Sequence, residues 1–192
     1  MNPSERGIVY IDMEEPDPAV IQAAAEGNTA AFEDLMRAYE EPVWRYLCRY
    51  LGDPDQARDV CQDTFLRVHR KLHTYTYRSK FSTWLFTVAR NAAVDSHRRS
   101  ARRERVLEVA PPSPPIGLPG LGLEIERALA DLSDKLRESV LLIEVLGLTY
   151  REASQVLGVP EGTAKSRVFA ARAQLAEWMR ADEQTDATGE PG

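Results

Sequence analysis

The most informative part of this 192-residue chain runs from residue 149 to residue 167 and reads TYREASQVLGVPEGTAKSR. Thr149, with Glu152 three residues later, has the spacing of a capping box, which predicts the start of a short helix. A tight turn follows at Gly158, and a longer helix is predicted over about residues 161–179. A short helix, a glycine-containing turn and a longer helix are typical of a helix-turn-helix.

The second helix of such a motif enters the major groove of DNA with its N-terminal half. Helical periodicity turns Val168 and Leu175 of this helix towards the protein interior. The same periodicity leaves outward-facing side chains that could reach bases, and these are Lys165, Ser166, Arg167 and Phe169. We therefore interpret the C-terminal part of the chain as a domain that reads duplex DNA.

Before this motif, the sequence pattern predicts further helices that are separated by helix-terminating residues. Apolar residues recur at spacings of three and four, and the sequence shows neither strand alternation nor an internal repeat. Asp53-Pro54 is typical of a helix start. The preceding helix is predicted to run from Asn28 to about Leu51, and Pro42 within it is expected to kink or interrupt it. The pattern predicts an all-α fold.

A proline- and glycine-rich segment divides the predicted helices into two groups. Residues 106–123 contain five prolines and three glycines, which predicts a semi-extended linker with a reach of about 56 Å, at roughly 3.1 Å per residue. We predict two small helical domains joined by this linker. The predicted segments are a flexible acidic arm at 1–18, a helical domain at 19–105, the linker at 106–123, the helix-turn-helix domain at 124–180 and an acidic tail at 181–192.

The formal net charge of −6 hides a strongly uneven distribution. Residues 1–65 carry 5 basic and 14 acidic side chains, residues 66–105 carry 11 and 2, and residues 106–192 carry 8 and 14. The three segments therefore have net charges of −9, +9 and −6. Association is steered by the local potential rather than by the total charge. Five arginines fall within residues 98–105, which indicates contact with nucleic-acid phosphates.

An aromatic and basic cluster lies at the predicted start of the fourth helix. Its members are Tyr75, Tyr77, Arg78, Lys80, Phe81 and Trp84. Aromatic rings beside cations suit unpaired bases, which stack on the rings while the cations follow the backbone. Phe81 and Trp84 also fall on the apolar stripe of their helix, so core packing is an alternative for these two. Tyr75 and Tyr77 lie in a loop, where base stacking is the favoured interpretation.

One face of the third predicted helix is not explained by the core. It is formed by Asp59, Gln62, Asp63, Leu66 and Arg70. A solvated face is the default interpretation of such polar residues. Leu66 in the middle of the face indicates instead a partner helix, and the residues by themselves leave both interpretations open.

Other classes of protein find no support in the sequence. No apolar run approaches the roughly 18–20 residues of a membrane span, and the N-terminus lacks the pattern of a signal peptide. Twelve residues separate Cys48 from Cys61, unlike the close pairs of structural zinc sites, and we interpret both as core cysteines. We predict a cytoplasmic protein with no catalytic residues, no metal and no cofactor.

Four motifs in order resemble the extracytoplasmic-function (ECF) sigma factors, which are two-domain members of the sigma-70 family. They are AFEDL at 31–35, DVCQDTFLR at 59–67, FSTWLFTVARN at 81–91 followed by Asp95 and Arg98-Arg99, and GLTYREA at 147–153 leading to GTAKSR at 162–167. The resemblance covers about residues 19–180. It implies a region 2 helical bundle and a region 4 helix-turn-helix on the two sides of the linker.

The resemblance also implies a function, which is transcription initiation without catalytic activity. The expected partners are core RNA polymerase, promoter DNA that is melted at the −10 element and duplex at the −35 element, and an anti-sigma factor. Tyr75 would hold a flipped −10 base, and the third-helix face would bind polymerase rather than water. No membrane contact is expected.

The resemblance assigns individual residues to three surfaces. The −10 set consists of Tyr75, Tyr77, Arg78, Lys80, Trp84, Asn91, Asp95, Arg98, Arg99, Arg102 and Arg103. The −35 set consists of Thr149, Tyr150, Arg151, Thr163, Lys165, Ser166, Arg167, Phe169 and Arg172. The polymerase set consists of Asp59, Gln62, Asp63, Leu66, Arg67 and Arg70.

The main alternative is a stand-alone, dimeric helix-turn-helix transcriptional regulator. It accounts for the C-terminal domain but assigns no role to the aromatic loop or to the third-helix face. Promoter-dependent transcription with core RNA polymerase separates the two hypotheses.

Overall fold

The computed structural model describes residues 13–107 and 123–187, and every regular element within these two ranges is helical. In chain order the α-helices are α1 (Pro18–Ala25), α2 (Thr29–Leu51), α3 (Pro54–Lys71), α4 (Phe81–Leu107), α5 (Leu123–Asp131), α6 (Asp134–Val140), α7 (Tyr150–Leu157) and α8 (Glu161–Ala187). A 3-10 turn at Leu72–Thr74 follows α3, and a π-helical segment at Leu141–Val145 continues α6. The all-α prediction is confirmed.

Side-chain caps start α3 and α7 where the sequence predicts them, whereas Ser133, also expected to cap its helix, makes no such bond. The Asp53 carboxylate accepts hydrogen bonds from the main-chain N–H groups of Asp55 at 2.9 Å and Gln56 at 3.1 Å. At α7 the Thr149 hydroxyl accepts from the N–H of Glu152 at 3.2 Å, and the Glu152 carboxylate accepts from the N–H of Thr149 at 2.8 Å. These bonds satisfy N–H groups that have no partner inside the helix.

Removing the cap of α7 should weaken the helix-turn-helix. We expect Thr149→Ala to lower the free energy of unfolding by about 1 kcal/mol, since one helix donor loses its acceptor. Urea denaturation measures the change. Ser133→Ala is the matched control, because Ser133 precedes α6 but its hydroxyl makes no capping hydrogen bond. Equal losses in the two variants would contradict this role of Thr149.

Two helices are longer than the sequence predicts, and α2 is continuous through a proline. The sequence allows a kink or an interruption at Pro42, and the interruption does not occur. The buried residues on both sides of the proline, Tyr39 and Val43, pack into the core, and this packing outweighs the local preference of proline. α4 ends at Leu107 and α8 at Ala187, both later than expected, because no glycine or proline follows until residues 111 and 189.

The core is one apolar cluster that extends through both helical groups. Helices α1 to α4 enclose large, fully buried side chains, and these include Tyr39, Val43, Tyr46, Leu47, Leu85 and Phe86. Helices α5 to α8 and the π-helical segment enclose a second group, which includes Leu141, Leu142, Val156 and Val168. The ring centroids of Tyr46 and Phe86 are 5.6 Å apart with an edge-to-face geometry, which is a favourable arrangement of aromatic rings.

The two helical groups are packed together, with α7 against α4. Arg90 of α4 donates through Nε to Oε1 of Glu138 in α6 at 2.5 Å. The Glu138 side chain is only 4% exposed. Lys80, just before α4, places Nζ 2.9 Å from Oε1 of Glu152 in α7. We call this the closed arrangement of the two groups.

Part of the predicted flexible arm is held against the helices. Tyr39 donates a hydrogen bond from its hydroxyl to the main-chain carbonyl of Glu14 at 2.7 Å. The Glu15 carboxylate accepts from the main-chain N–H of Phe81 at 2.9 Å. Residues 1–12, the linker residues 108–122 and the tail residues 188–192 lie outside the described part of the chain.

Both cysteines are buried, as their interpretation as core residues expects. Burial raises the pKa of the Cys48 thiol to about 11 and that of Cys61 to about 12, so both are neutral at physiological pH. Within residues 13–107 and 123–187 no group of His, Cys, Asp and Glu could hold a metal ion. In the same ranges no helix is long and apolar enough to cross a membrane.

Candidate nucleic-acid and partner interfaces

The loop between α3 and α4 gathers three aromatic rings of the predicted −10 set. The centroid of Tyr75 lies 4.7 Å from that of Tyr77 and 5.5 Å from that of Trp84. The Tyr75 hydroxyl donates to the main-chain carbonyl of Ser79 at 2.7 Å, which closes the loop. Burial raises the pKa of the Tyr75 phenol, so it stays a neutral donor. We call these three residues the aromatic cluster.

Tyr77 has the most unusual backbone in the described chain. Its φ is 58°, and within residues 13–107 and 123–187 no other residue except glycine has a positive φ. Such a conformation is costly for a bulky side chain and is kept where surrounding contacts impose it. The Tyr77 ring is 51% exposed, and its hydroxyl donates to the main-chain carbonyl of Pro18 at 3.3 Å. The loop therefore presents a ring to solvent.

The polar members of the −10 set extend from this cluster along α4. Arg78, Lys80, Asn91, Arg98 and Arg99 are exposed. From Trp84 to Arg98 the helix rises by about 21 Å. Arg102 and Arg103 belong to α4, but their side chains lie outside the described part of the structure. The arrangement is a cluster of rings at one end of α4 and a polar track along it.

Asp95 and Arg67, which the sequence assigns to different surfaces, are paired with each other. The Arg67 guanidinium lies 2.9 Å from a carboxylate oxygen of Asp95 and 2.9 Å from one of Asp63. Hydrogen bonds to both carboxylates raise the pKa of Arg67. The three residues thus join α3 to α4 and connect the polymerase set to the −10 set.

The remaining polymerase set forms an exposed face of α3. Asp59, Gln62, Leu66 and Arg70 are exposed, and Leu66 is 56% exposed although it is apolar. This face borders a groove of about 920 Å³ between α2 and α3. The sequence does not assign α2 to this surface. The apolar side chains that line the groove are Phe32, Met36, Trp44, Phe65 and Leu66.

The −35 set collects at the start of α7 and in the first half of α8. Thr149 and Arg151 are exposed, as are Lys165, Ser166 and Phe169, with Phe169 77% exposed. Thr163 and Arg167 are half-buried. Polar side chains and one exposed ring therefore share a surface, which suits DNA better than the protein interior.

A shallow pocket of about 530 Å³ joins α7 to α8 within the −35 set. It is lined by Tyr150, Gly162, Lys165, Ser166, Phe169 and Arg172. Lys165 Nζ lies 5.7 Å from the ring centroid of Tyr150 and 2.9 Å from a carboxylate oxygen of Glu161. Arg172 donates through Nε to Glu144 at 3.0 Å. These contacts hold both cations at the edge of the pocket.

Comparison with known proteins identifies the family to which a chain with these surfaces belongs. Residues 35–103 match the family described as Sigma-70 region 2, and residues 122–175 match Sigma-70, region 4. The chain is 36% identical over 174 residues to the ECF RNA polymerase sigma factor SigC of Mycobacterium tuberculosis, covering 87% of this chain and 93% of that protein. The chain belongs to the ECF sigma factors of the sigma-70 family.

Further relatives agree with this membership. The ECF sigma factor SigF of Caulobacter vibrioides is 33% identical, over 84% of this chain and 93% of that protein. A solved structure of the sigma factor RpoE with the anti-sigma factor NepR from Bartonella quintana has a TM-score of 0.72 at 28% identity, covering 79% of this chain and 98% of that one. This ECF sigma factor is a transcription initiation factor. The stand-alone regulator is not favoured, because the region 2 match lies outside the helix-turn-helix.

Proposed function

We propose that this ECF sigma factor directs core RNA polymerase to promoters through two DNA-reading surfaces and has no catalytic activity of its own. The observation that carries the proposal is the presence, in one chain, of an aromatic cluster suited to unpaired bases and a helix-turn-helix suited to duplex DNA. Polymerase and promoters are cytoplasmic in bacteria, so we place the factor in the cytoplasm.

Region 2 is proposed to open the −10 element by capturing bases of one strand. Extruding a base costs a few kcal/mol, and stacking on aromatic rings returns about 1–3 kcal/mol per base. Tyr75 and Tyr77 supply rings for this purpose. Their proposed partners in holding the strand are Arg78, Lys80, Trp84, Asn91, Arg98, Arg99, Arg102 and Arg103.

Region 4 is proposed to bind the −35 element as duplex. Thr149, Tyr150 and Arg151 lie at the N-terminus of α7, where main-chain N–H groups and the helix dipole favour a phosphate. Side chains on the first half of α8 would reach base edges in the major groove. They are Thr163, Lys165, Ser166, Arg167, Phe169 and Arg172.

Simultaneous reading of both elements requires the closed arrangement to open. Two turns of DNA correspond to about 70 Å, whereas Lys80 of the −10 set is ion-paired to Glu152, the residue after Arg151 of the −35 set. A linker with a reach of about 56 Å, together with the widths of the domains, spans that distance. We propose that α7 leaves α4 when the factor binds polymerase and promoter.

The exposed face of α3 and the adjoining groove are proposed to bind core RNA polymerase. The groove offers apolar side chains, and Asp59, Gln62 and Arg70 offer a polar rim around Leu66. An amphipathic helix would bury its apolar face in such a groove. Binding of polymerase at this face and groove leaves both DNA-reading surfaces available for promoter DNA.

A charge at position 66 should weaken this contact. We expect Leu66→Asp to lower the affinity for core RNA polymerase by about 30-fold, corresponding to about 2 kcal/mol for a residue at the centre of an interface. Titration of labelled sigma factor with core polymerase measures the change. Met179→Asp is the matched control, because Met179 is an apolar residue of α8 that is 49% exposed. An unchanged affinity for Leu66→Asp would remove the proposed interface.

Run-off transcription tests the whole proposal. Transcripts that appear on overexpression in the native host are mapped, and one such promoter is transcribed by core RNA polymerase with and without the purified factor. We expect a discrete transcript that depends on the factor. Absence of that transcript, combined with duplex binding by a dimer, would support the stand-alone regulator instead.

An anti-sigma factor is a further proposed partner. The RpoE structure that this chain resembles contains one, NepR, and the α2–α3 groove gives such a protein an apolar surface to bind. Purification of the tagged factor from its native host, followed by mass spectrometry, tests this partner. Recovery of polymerase subunits without any stoichiometric additional protein would count against it.

A further inference from the structure

Glu15 caps helix α4 from a position 66 residues earlier in the chain. Its carboxylate accepts from the main-chain N–H of Phe81 at 2.9 Å and from that of Ser82 at 3.3 Å. The Ser82 hydroxyl donates to the same carboxylate. Three donors at the first turn of one helix therefore converge on one side chain from outside that helix.

Residues 14–18, which we call the N-terminal strap, are attached at two further points. The hydroxyl of Tyr39 donates to the carbonyl of Glu14 at 2.7 Å. The hydroxyl of Tyr77 donates to the carbonyl of Pro18 at 3.3 Å. The strap thus connects α2, the aromatic loop and the start of α4.

We propose that Glu15 is a positioning residue for the capture of unpaired −10 bases, because it fixes the first turn of α4 and with it the aromatic cluster. This inference rests on the proposed function of region 2. Glu15 touches no base in this scheme and acts through Phe81, Ser82 and the loop before them.

The first turn of α4 needs an acceptor from elsewhere. The residue before the helix is Lys80, whose side chain has no acceptor and so does not cap the helix. The N–H groups of the first turn lack partners inside the helix, and the positive end of the helix dipole favours a carboxylate. Glu15 meets both requirements.

The cap is coupled to the aromatic cluster by direct contact. The Phe81 ring centroid lies 5.8 Å from that of Tyr75 and 5.9 Å from that of Trp84. A shift of the first turn therefore moves both rings. The positive φ of Tyr77 needs contacts that hold it in place, and Pro18 of the strap supplies one.

A second role for this carboxylate would be to occupy the place of a DNA phosphate. The attachment of the strap at Tyr39 and Tyr77 argues against that role, because it holds Glu15 against the first turn of α4. The two roles have opposite consequences, because removal of a competitor strengthens DNA binding and removal of a support weakens it.

The test uses full-length factor assembled with core RNA polymerase. The probe is a fork-junction DNA, duplex upstream and single-stranded over the −10 element of a promoter mapped as above, with 2-aminopurine within the −10 element. We expect Glu15→Gln to bind this probe about tenfold more weakly, since removal of the charge weakens hydrogen bonds from buried donors. Affinity for a duplex −35 probe and for core polymerase should not change.

Glu14→Gln is the matched control, because Glu14 contributes its main-chain carbonyl to the strap. It should bind both probes as the wild type does. Fork-junction affinity that is unchanged or increased in Glu15→Gln would overturn the proposal, and so would an equal loss on the −35 probe, which indicates general destabilisation.

Tyr75→Ala in the same assay separates the base-capture function of region 2 from the positioning role of Glu15. If it binds normally, the base-capture function fails, and if only Glu15→Gln binds normally, the positioning role alone fails.

Discussion

Tyr75→Ala is expected to bind single-stranded −10 DNA about 10- to 100-fold more weakly, while its binding to a duplex −35 probe stays unchanged. The reason is the loss of one stacking surface, which is worth about 1–3 kcal/mol per base. Tyr75 is the ring shared by both close contacts of the aromatic cluster, with Tyr77 and with Trp84. The measurement compares fork-junction and duplex probes with the same holoenzyme.

Two further variants separate stacking from folding. Tyr75→Phe keeps the ring and loses the hydrogen bond to Ser79, so we expect it to retain most of the affinity. Tyr77→Ala removes a ring that is 51% exposed together with its hydrogen bond to Pro18, and we expect it to lower fork-junction affinity more than thermal stability. Equal losses of Tyr75→Ala on both probes would contradict base capture, because only a general defect affects duplex binding as well.

Transcription from two templates extends this prediction to strand opening. On a fully paired promoter, Tyr75→Ala must both unpair the −10 bases and capture them, although it lacks one of the stacking rings. A template with mismatches over the −10 element supplies unpaired bases at lower cost. We therefore expect the transcript yield of Tyr75→Ala to recover in part on the mismatched template, whereas a stability defect would lower both yields alike.

Local sequence patterns predict the helices and the helix-turn-helix because the forces that start and end helices act over a few residues. The capping box of Thr149 and Glu152 appears at its sequence position, and so does the cap at Asp53. Pro42 shows the limit of such rules. Its effect on the helix depends on the packing of α2 against other elements, which the local sequence does not contain.

Contacts between residues far apart in the chain cannot be predicted from local sequence patterns. Glu15 and Glu138 belong to acidic segments and look like solvated side chains. Their partners Phe81 and Arg90 lie 66 and 48 residues away. Only the folded chain brings these groups together, and the burial of Phe81 and Glu138 then strengthens their contacts.

The uneven charge of the chain acquires a structural meaning from these contacts. The +9 segment at 66–105 contains Lys80 and Arg90. In the closed arrangement these cations pair with Glu152 and Glu138, which belong to the acidic segment at 106–192. The positive charge of this segment is thus partly neutralised within the chain. If Lys80 contacts DNA as proposed, DNA binding and closure of region 4 on α4 compete for this cation.

Removing Glu138 is expected to separate the two helical groups. Glu138→Ala leaves the guanidinium of Arg90 without its carboxylate partner at the interface, and we expect the closed arrangement to lose about 1–3 kcal/mol. Small-angle scattering should then give a radius of gyration above the value of about 16 Å that a compact 192-residue chain has. Glu177→Ala, an exposed acidic residue of α8, is the control and should scatter as the wild type does.

The same contact gives the closed arrangement a pH dependence. Burial raises the pKa of the Glu138 carboxyl above its ordinary value of 4.5, although Arg90 and Arg167 oppose this shift. A separated domain exposes the carboxyl, which then titrates near 4.5. The stabilisation from the bound proton is therefore fully present below pH 4.5 and is lost as the pH rises through the raised pKa. The radius of gyration should increase over that interval.

Glu138→Gln isolates this effect, because glutamine keeps an acceptor for Arg90 and does not titrate. We expect this variant to stay closed and to lose the pH dependence that distinguishes the wild type. Every other residue is identical in the two proteins, so a difference between the two scattering curves is assigned to the side chain at position 138. Identical pH profiles for wild type and Glu138→Gln would show that this carboxyl does not control the closure of region 4 on α4.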